Sequence, residues 1–391
     1  MIRALFVNTA MLGHASVARL LPRVVAGDER IEAVPLDTGE GLARRDRVIR
    51  RLLCWGPAGE PTAASSLALT RWRHEMHAGL LAARRIRDRE RAGESFGVIH
   101  FHTQAAAWAS LGRMRRTPSI VSIDITQRLA REEAPPGIAR WGYRPGAARD
   151  ARVFQAASAI TVTSRWAADD LVRHQPEVAG KVHVMPYPVL ASELDPGWVG
   201  ERYDAAVSGA RPARLLFVGG DFPRKGGWEL LEAWRGGGFA AEGAELVLAT
   251  GWPLPEEALP PGVRVIRGVR AYEPAWRELW RAADAFVMPT RAEAFGMVYQ
   301  EASAAGLPVI GTRIAAVPEI VEDGVTGLLV PPRDPAALAA AIRALLASPA
   351  LRRRMGEAGR ARMARISSPE AYGEKLRGLI LAAAANGGEG R

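Results

Sequence analysis

The sequence predicts an α/β protein made of two doubly wound, parallel-sheet domains facing a central cleft. Three observations carry that prediction. Short apolar runs rich in Val, Ile and Leu alternate with longer segments of helical character. The runs are near-continuously apolar, the pattern of strands covered on both faces. A polar stretch bearing Gly and Pro, ASELDPGWVGERYDAAVSGARPAR, sits near the middle of the 391 residues, a length that suits two domains of roughly 150–200 residues.

Taken in order, the candidate strands are Ala4–Asn8, Gly97–Phe101, Ser119–Ile123, Ala159–Thr163 and Lys181–Met185 before the polar stretch. Arg214–Val218, Glu245–Ala249, Val263–Arg267, Ala285–Met288 and Pro308–Gly311 follow it. The predicted division is a first domain over 1–190, a linker over 191–212, a second domain over 213–368, and a helix with a frayed tail over 369–391 that could pack back on the first domain. Ligands of doubly wound sheets bind at the carboxyl ends of the strands.

Composition narrows the class. Apolar residues make up 48% and charged residues 24% of the chain, a globular balance. The lone Cys54 excludes an intramolecular disulfide framework and fits a reducing cytoplasm. No apolar run approaches the roughly 20 residues of a membrane span, so a soluble, cytoplasmic protein is expected. The net charge of +10 lies entirely in residues 1–190, with 28 Lys and Arg against 18 Asp and Glu. One basic segment stands out there, RWRHEMHAGLLAARRIRDRERA, with Trp72, Met76, Leu80, Ala83 and Ile86 at helical spacing and arginines close behind. Two readings stay open for it: a solvated face on a core helix, or a surface for an anionic acceptor or the anionic inner face of a membrane. Nucleic acid is not expected, because no aromatic stacking series accompanies the charge.

The chemistry concentrates in EAFGMVYQEASAAGLPVIGT, Glu293 to Thr312. A strand ending near Pro289 feeds a loop, and a helix then runs to Gly306. Peptide N–H groups at Gly296, Met297 and Val298 would be orphan donors at that helix start, a ready anion site. Glu293 and Glu301 cannot bind phosphate, but they can accept hydrogen bonds from hydroxyls on either side of it. On spacing alone, a loop carboxylate at Glu293 and a surface helix residue at Glu301 is the favoured reading.

This stretch resembles the signature of the retaining glycosyltransferases of the GT-B fold, family 4, also called group 1 glycosyltransferases. Glu293, Phe295, Gly296, Glu301 and Ala302 match its E-F-G-x4-E-A core, and the likeness runs over about 213–365. The fold implied is two Rossmann-like domains around a cleft. By resemblance, Glu293 holds the donor sugar and Glu301 the ribose, with backbone donors at Phe295, Gly296 and Met297. The stretch LLFVGGDFPRKGGWELLEAW, Leu215 to Trp234, is similar to the family's V-G-R-x4-K-G, whose Arg and Lys neutralise the leaving diphosphate. Lys225 matches the lysine, but Gly220, after Gly219, stands where the family has arginine. Arg224 is a neighbouring cation that could supply the charge. Base contacts are expected at Val269 and Arg270, in a loop after a middle strand.

The first domain offers thinner markers. GVIHFHTQ resembles the family's H-x-H at a strand end, placing His102 near the reacting carbon and His100 behind it. A His pair on one strand face could also suggest a metal, though no Cys or acidic cluster completes such a site. Gly13 and His14, in the turn after the first strand, and Asp124, at a strand end, are acceptor-side candidates. Tight-turn and capping roles fit them as well. In TSRWAADDL, helix capping by Ser164 is the simpler reading.

The resemblance implies a hexosyltransferase. It would move a sugar from UDP-, GDP- or ADP-hexose to the hydroxyl of a saccharide, lipid-linked or small-molecule acceptor, with retention and without metal or other cofactor. No D-x-D motif occurs in the chain. A non-catalytic sugar-nucleotide-binding protein is the alternative, kept open by Gly220. A nicotinamide dehydrogenase is excluded, since no G-x-G-x-x-G follows a strand.

Overall fold

The computed structural model describes residues 1–9, 14–39, 44–53, 69–134, 138–190, 194–255, 257 and 259–388. Packing divides the chain into two units, Met1–Tyr187 with Glu370–Arg391, and Pro188–Pro369.

Among the described residues the first unit holds six parallel strands: β1 (Ile2–Asn8), β2 (Ile31–Asp37), β3 (Val98–His102), β4 (Ser119–Ile123), β5 (Ala159–Val162) and β6 (Val182–Val184). Their order is β2-β1-β3-β4-β5-β6. Every residue of β3, β4 and β5 is buried, which is why these strands read as unbroken apolar runs. The chain reverses its direction of winding between β1 and β3, where Asn8 lies opposite His102. That reversal opens a crevice at the carboxyl ends of the two strands.

Helix Thr70–Arg91 covers this sheet with most of the predicted face: Ala83 and Ile86 are buried and Trp72 and Met76 pack against the core, whereas Leu80 is exposed. Glu75, His77, Ala78, Gly79, Leu81 and Ala82 are buried as well. A Cβ on Gly79 would lie 2.7 Å from the Ala105 carbonyl oxygen, so the helix approaches its neighbour along the glycine rather than along Leu80. The closing helix Pro369–Gly388 belongs to the same unit. Tyr372, Leu376, Ile380 and Ala383 form its buried stripe, each large apolar side chain contributing about 1.5–3 kcal/mol. Arg377 donates to the Val24 carbonyl at 2.7 Å, and Gly373 allows that approach.

The second unit repeats the plan with β7 (Arg214–Val218), β8 (Glu245–Ala249), β9 (Val263–Ile266), β10 (Ala285–Val287), β11 (Val309–Thr312) and β12 (Gly327–Val330). Their order is β12-β11-β10-β7-β8-β9. Here the winding reverses between β7 and β10, which pair through Leu215 with Ala285 and Leu216 with Phe286.

The stretch 191–212, predicted as a linker, is corrected by the structure. Its described part contains helix Trp198–Ser208 and belongs to the second unit. Arg202 of that helix donates to the carbonyls of Ala305 and Trp280, each at 2.8 Å. Arg211 grips both carboxylate oxygens of Asp284, at 2.6 and 3.0 Å. Arg202 is a buried anchor and Arg211 a half-buried one, while Glu201, Asp204, Ser208 and Gly209 of the same segment face solvent. The second unit therefore begins at Pro188 rather than at 213.

Candidate functional site: the paired loops after β7 and β10

Both loops at the reversal point of the second sheet are shaped by glycine. After β7, Gly219 donates its N–H to Ala249 at 3.0 Å, and a Cβ on it would crowd Lys225. Gly226 has φ +75°, and a Cβ there would sit 1.9 Å from the Pro289 carbonyl oxygen. Only glycine lets the β7 loop lie against the β10 loop so closely. The two are then zipped together. The Arg224 carbonyl accepts from Arg291 N–H at 2.8 Å and from the Thr290 hydroxyl at 3.2 Å, while the Arg224 guanidinium donates to Ala292 O at 2.8 Å.

The zipper brings Lys225 Nζ into direct contact with Glu293 Oε2, both side chains largely buried. Arg224 pairs with Asp221 at 2.7 Å, and Arg291 pairs with Glu229. The site thus holds three cations, each matched to a carboxylate of its own. Arg224, read as a cation beside a phosphate, is already engaged by Asp221 and Ala292 O. Arg291 was not singled out from the sequence, where it is one arginine in a loop.

Helix Met297–Ala304 starts from this loop. Gly296, at φ +97°, makes the entry turn, and a Cβ on it would lie 2.6 Å from the Tyr299 ring. Tyr299 is wholly buried and donates its hydroxyl proton to Met288 O at 2.5 Å, fixing the first turn to β10. The N–H groups of Gly296, Met297 and Val298 have no acceptor among the described residues. They add the positive end of the helix dipole to the loop cations. Phe295 is buried beneath them.

Glu301 lies one turn further along and is 8% exposed. Burial alone pushes its carboxyl up to about 8. Among the described residues no hydrogen bond reaches it. A buried carboxylate without a partner is costly, and hydroxyl donors from a ligand would relieve that cost. The surface-residue reading of Glu301 is therefore excluded. Its neighbour Gln300 points away and donates to Ser367 Oγ at 2.6 Å.

The remaining candidates scatter. Gly220 is open, with nothing within 4 Å of where its Cβ would stand. Val269 and Arg270 follow β9, which is an edge strand rather than a middle one, and Arg270 is strongly exposed. In the first unit, His102 closes β3 and is fully buried, its ring edge-on to Tyr187 at 5.5 Å. His100 bonds Ser122 Oγ at 2.7 Å, and burial drops its pKa to about 4, the behaviour of a neutral core histidine. Asp124 is half-buried just past β4. Ser164 caps its helix through Ala167 N–H at 3.2 Å. Helix His14–Val25 begins at His14, and Gly13 lies outside the described residues.

One buried group escaped the sequence reading altogether. Asp150 accepts from Trp108 Nε1 at 2.8 Å and from Gln127 N–H at 3.2 Å, and burial raises it to about 7. It ties the segment after β3 to the one after β4. Its place beside Val153 and Phe154 on one helical face was the available signal.

Comparison with known proteins bears on the family and the fold. Residues 212–348 match the family described as glycosyl transferases group 1, and residues 32–191 match glycosyltransferase family 4. D-inositol 3-phosphate glycosyltransferase 1 of Catenulispora acidiphila is 29% identical over 314 residues, covering 75% of this chain and 72% of that protein. The Geodermatophilus obscurus D-inositol 3-phosphate glycosyltransferase is 40% identical over 136 residues, 34% of this chain and only 29% of its own length. Among solved structures, sucrose-phosphate synthase from Thermosynechococcus elongatus superposes with a TM-score of 0.74 at 20% identity, covering 99% of this chain and all of that one. WaaG, a glycosyltransferase involved in lipopolysaccharide biosynthesis, gives 0.62 at 16% identity, covering 95% and 99%. Two doubly wound six-stranded sheets of this kind define the GT-B fold class. Within that class, the chain belongs to the group 1, or family 4, glycosyltransferases.

Proposed function

We propose that this chain transfers a hexose from a nucleotide-diphospho-sugar to an acceptor hydroxyl, with retention of configuration and without a metal ion. The observation that carries the proposal is the convergence at one sheet reversal of Lys225, Glu293, three unpaired helix N–H groups and the buried Glu301. A diphosphate on the helix start would draw Lys225 toward it, releasing Glu293 to accept from sugar hydroxyls. Glu301 would take the ribose hydroxyls. As the glycosidic bond breaks, negative charge grows on the phosphate that Lys225 and the helix dipole already face. The departing phosphate oxygen then takes the acceptor's proton, and the acceptor oxygen bonds to carbon from the face the phosphate leaves. No side-chain nucleophile is needed, and the positive charge that a metal would supply comes from Lys225 and the helix.

Solved HepE of Anabaena, similar in fold at a TM-score of 0.65 and 14% identity, holds UDP-glucose, which favours a uridine donor. The basic surplus of residues 1–190 and the inositol 3-phosphate in the names of relatives favour an anionic acceptor.

The test is a calorimetric titration of UDP-, GDP- and ADP-hexoses with EDTA present, on the wild type and Glu301→Ala. Tight binding of one nucleotide class, lost in the variant, is the expected result. Binding that requires added divalent metal, or that survives Glu301→Ala unchanged, would overturn the assignment.

A further inference from the structure

The first unit buries two carboxylates that the transfer chemistry above does not use. Asp150 is 2% and Glu75 7% exposed. Asp150 Oδ1 accepts from Trp108 Nε1 at 2.8 Å. Its Oδ2 accepts from the Gln127 N–H at 3.2 Å and from Gln104 Nε2 at 3.4 Å. Gln104 Nε2 also donates to the Ile125 carbonyl at 3.0 Å. Gln104 and Trp108 lie in the segment after β3, Ile125 and Gln127 in the segment after β4. Gln104 stands two residues beyond His102, and Ile125 follows Asp124. One side-chain amide thus clamps together the segments that carry two of the acceptor-side candidates.

All three groups bonded to Asp150 are donors, which suits an ionised carboxylate. Burial opposes that charge, and the balance leaves its carboxyl at about 7. The protonated form is badly served by this arrangement, because its new O–H faces the three donors. Close by, Gln104 Oε1 is a buried acceptor with no partner among the described residues. Turning the Gln104 amide over satisfies both groups at once, the Asp150 O–H donating to Gln104 Oε1. The same turn takes Nε2 away from the Ile125 carbonyl. Gln127 cannot make this exchange, since both oxygens of Glu75 hold its Nε2 at 2.8 Å.

The charges around Asp150 are accounted for. Glu75, which pushes Asp150 further up, pairs with Arg71 at 3.0 Å, and Arg71 lies 5.3 Å over the Tyr143 ring. On helix Gln127–Glu132, Arg128 is engaged by Asp170 at 2.9 Å. Arg113, from the helix after Trp108, is engaged by Glu90.

We propose that Asp150 is a proton-operated positioning residue for the acceptor side. Ionised, it leaves Gln104 clamped on Ile125. Protonated, it draws the Gln104 carbonyl to itself and loosens the clamp between the segments after β3 and β4. Its bearing on transfer rests on the reading of His102 and Asp124 as acceptor-side residues. The switch itself is read without turnover, and donor titration, which reports on the second unit, stands or falls separately.

The experiment follows the indole N–H resonances of the full ¹⁵N-labelled chain from about pH 5.5 to about pH 8.5, a range that brackets a carboxyl raised this far. The Trp108 resonance, identified by its loss in Trp108→Phe, should titrate with a midpoint at about 7. Amide hydrogen exchange over residues 103–108 and 124–129 is measured at the two ends of that range and corrected for intrinsic rates. It should be about fivefold faster at the acid end, the scale of one lost hydrogen bond. Asp150→Asn should abolish the titration. Gln104→Met, which keeps the side-chain length and removes the amide, should leave Trp108 titrating but make the corrected exchange equal at both ends. Gln104→Met decides the matter where Asp150→Asn does not fold. A Trp108 resonance that stays still across the range overturns the proposal, as does corrected exchange in the wild type that is the same at both ends. Exchange that still responds to pH in Gln104→Met overturns it too, because the moving part would then lie elsewhere.

Discussion

Lys225 Nζ rests on Glu293 Oε2, joining the loop after β7 to the loop after β10. Each group is held there by its own loop, and each is the other's neutralising charge. A diphosphate competes for Lys225 with Glu293, so donor binding exchanges one ion pair for another and frees the carboxylate. Removing one partner should therefore harm more than removing both would suggest. Lys225→Ala is expected to lower kcat/KM by about 10²–10³, the scale of a lost charge-stabilising donor. Glu293→Ala should lower kcat similarly while leaving nucleotide diphosphate affinity equal or tighter, because Lys225 is then released to the phosphate. A double-mutant cycle on UDP affinity, with a coupling of about 1 kcal/mol or more, checks the exchange. Additive effects would show that the two act independently.

Glu301 couples function to pH. Its carboxyl titrates at about 8 in the fold against an ordinary 4.5, so the folded chain keeps a proton that the unfolded chain has lost. The stability linked to this group is full below about pH 4.5 and declines as pH rises toward 8, at up to about 1.4 kcal/mol per pH unit. Glu301→Gln removes that decline. The variant should melt higher than wild type at about pH 8 and equally near pH 4.5, yet bind donor at least about tenfold more weakly, because an amide replaces the carboxylate toward ribose hydroxyls. Thermal unfolding at both pH values and one titration decide it; unchanged melting at alkaline pH would contradict the burial argument.

Gly296 is a backbone requirement as well as the source of one of the helix-start N–H groups. At φ +97°, with a would-be Cβ 2.6 Å from the Tyr299 ring, alanine is strained by both conformation and contact. Gly296→Ala should destabilise the second unit by about 1–3 kcal/mol. It should also weaken donor binding, since the first-turn N–H groups would be re-aimed. Calorimetric unfolding together with donor titration separates the two effects. A variant that binds donor normally would remove the helix start from the site.

The second sheet's site was legible because its chemistry is local in sequence. Glu293 to Glu301 spans one loop and about one helical turn, and the glycines that shape it are written beside the carboxylates. The inner strands were legible because burial on both faces makes them continuously apolar. β2 and β12 went unread because their apolar runs are broken or short, β2 by Glu32, Pro35 and Asp37 and β12 by its opening glycine, although the edge strands β6 and β9 were read. Long-range pairings left no trace either. Nothing in the text of the chain says that Arg202 will be buried against Trp280 and Ala305, so a helix looked like a linker. His102 illustrates the opposite hazard. A motif placed it at the right strand end, but its environment, packed against Tyr187, depends on residues far along the chain. Asp150 is the same case, its partners at Trp108 and Gln127 being fixed only by tertiary packing.

Gly220 is the position where this chain departs from the family it belongs to, and the structure makes the departure reversible. The resemblance places an arginine there to share the diphosphate with Lys225. Arg224 is turned instead toward Asp221 and Ala292 O. A Cβ at Gly220 meets nothing within 4 Å, and its φ does not fall in the left-handed region, so arginine fits without strain. Gly220→Arg should unfold at the wild-type temperature. It should bind the donor about tenfold more tightly, the scale of one added charge-assisted contact to phosphate. Turnover should rise with it where the new cation follows the charge into the transition state. Unchanged affinity would mean that Arg224 already reaches the diphosphate by exchanging Asp221 for it, and Arg224→Gln would then carry the loss that Gly220→Arg failed to reverse. Weaker binding in a folded variant would mean that the open space beside Gly220 is where the sugar itself must pass.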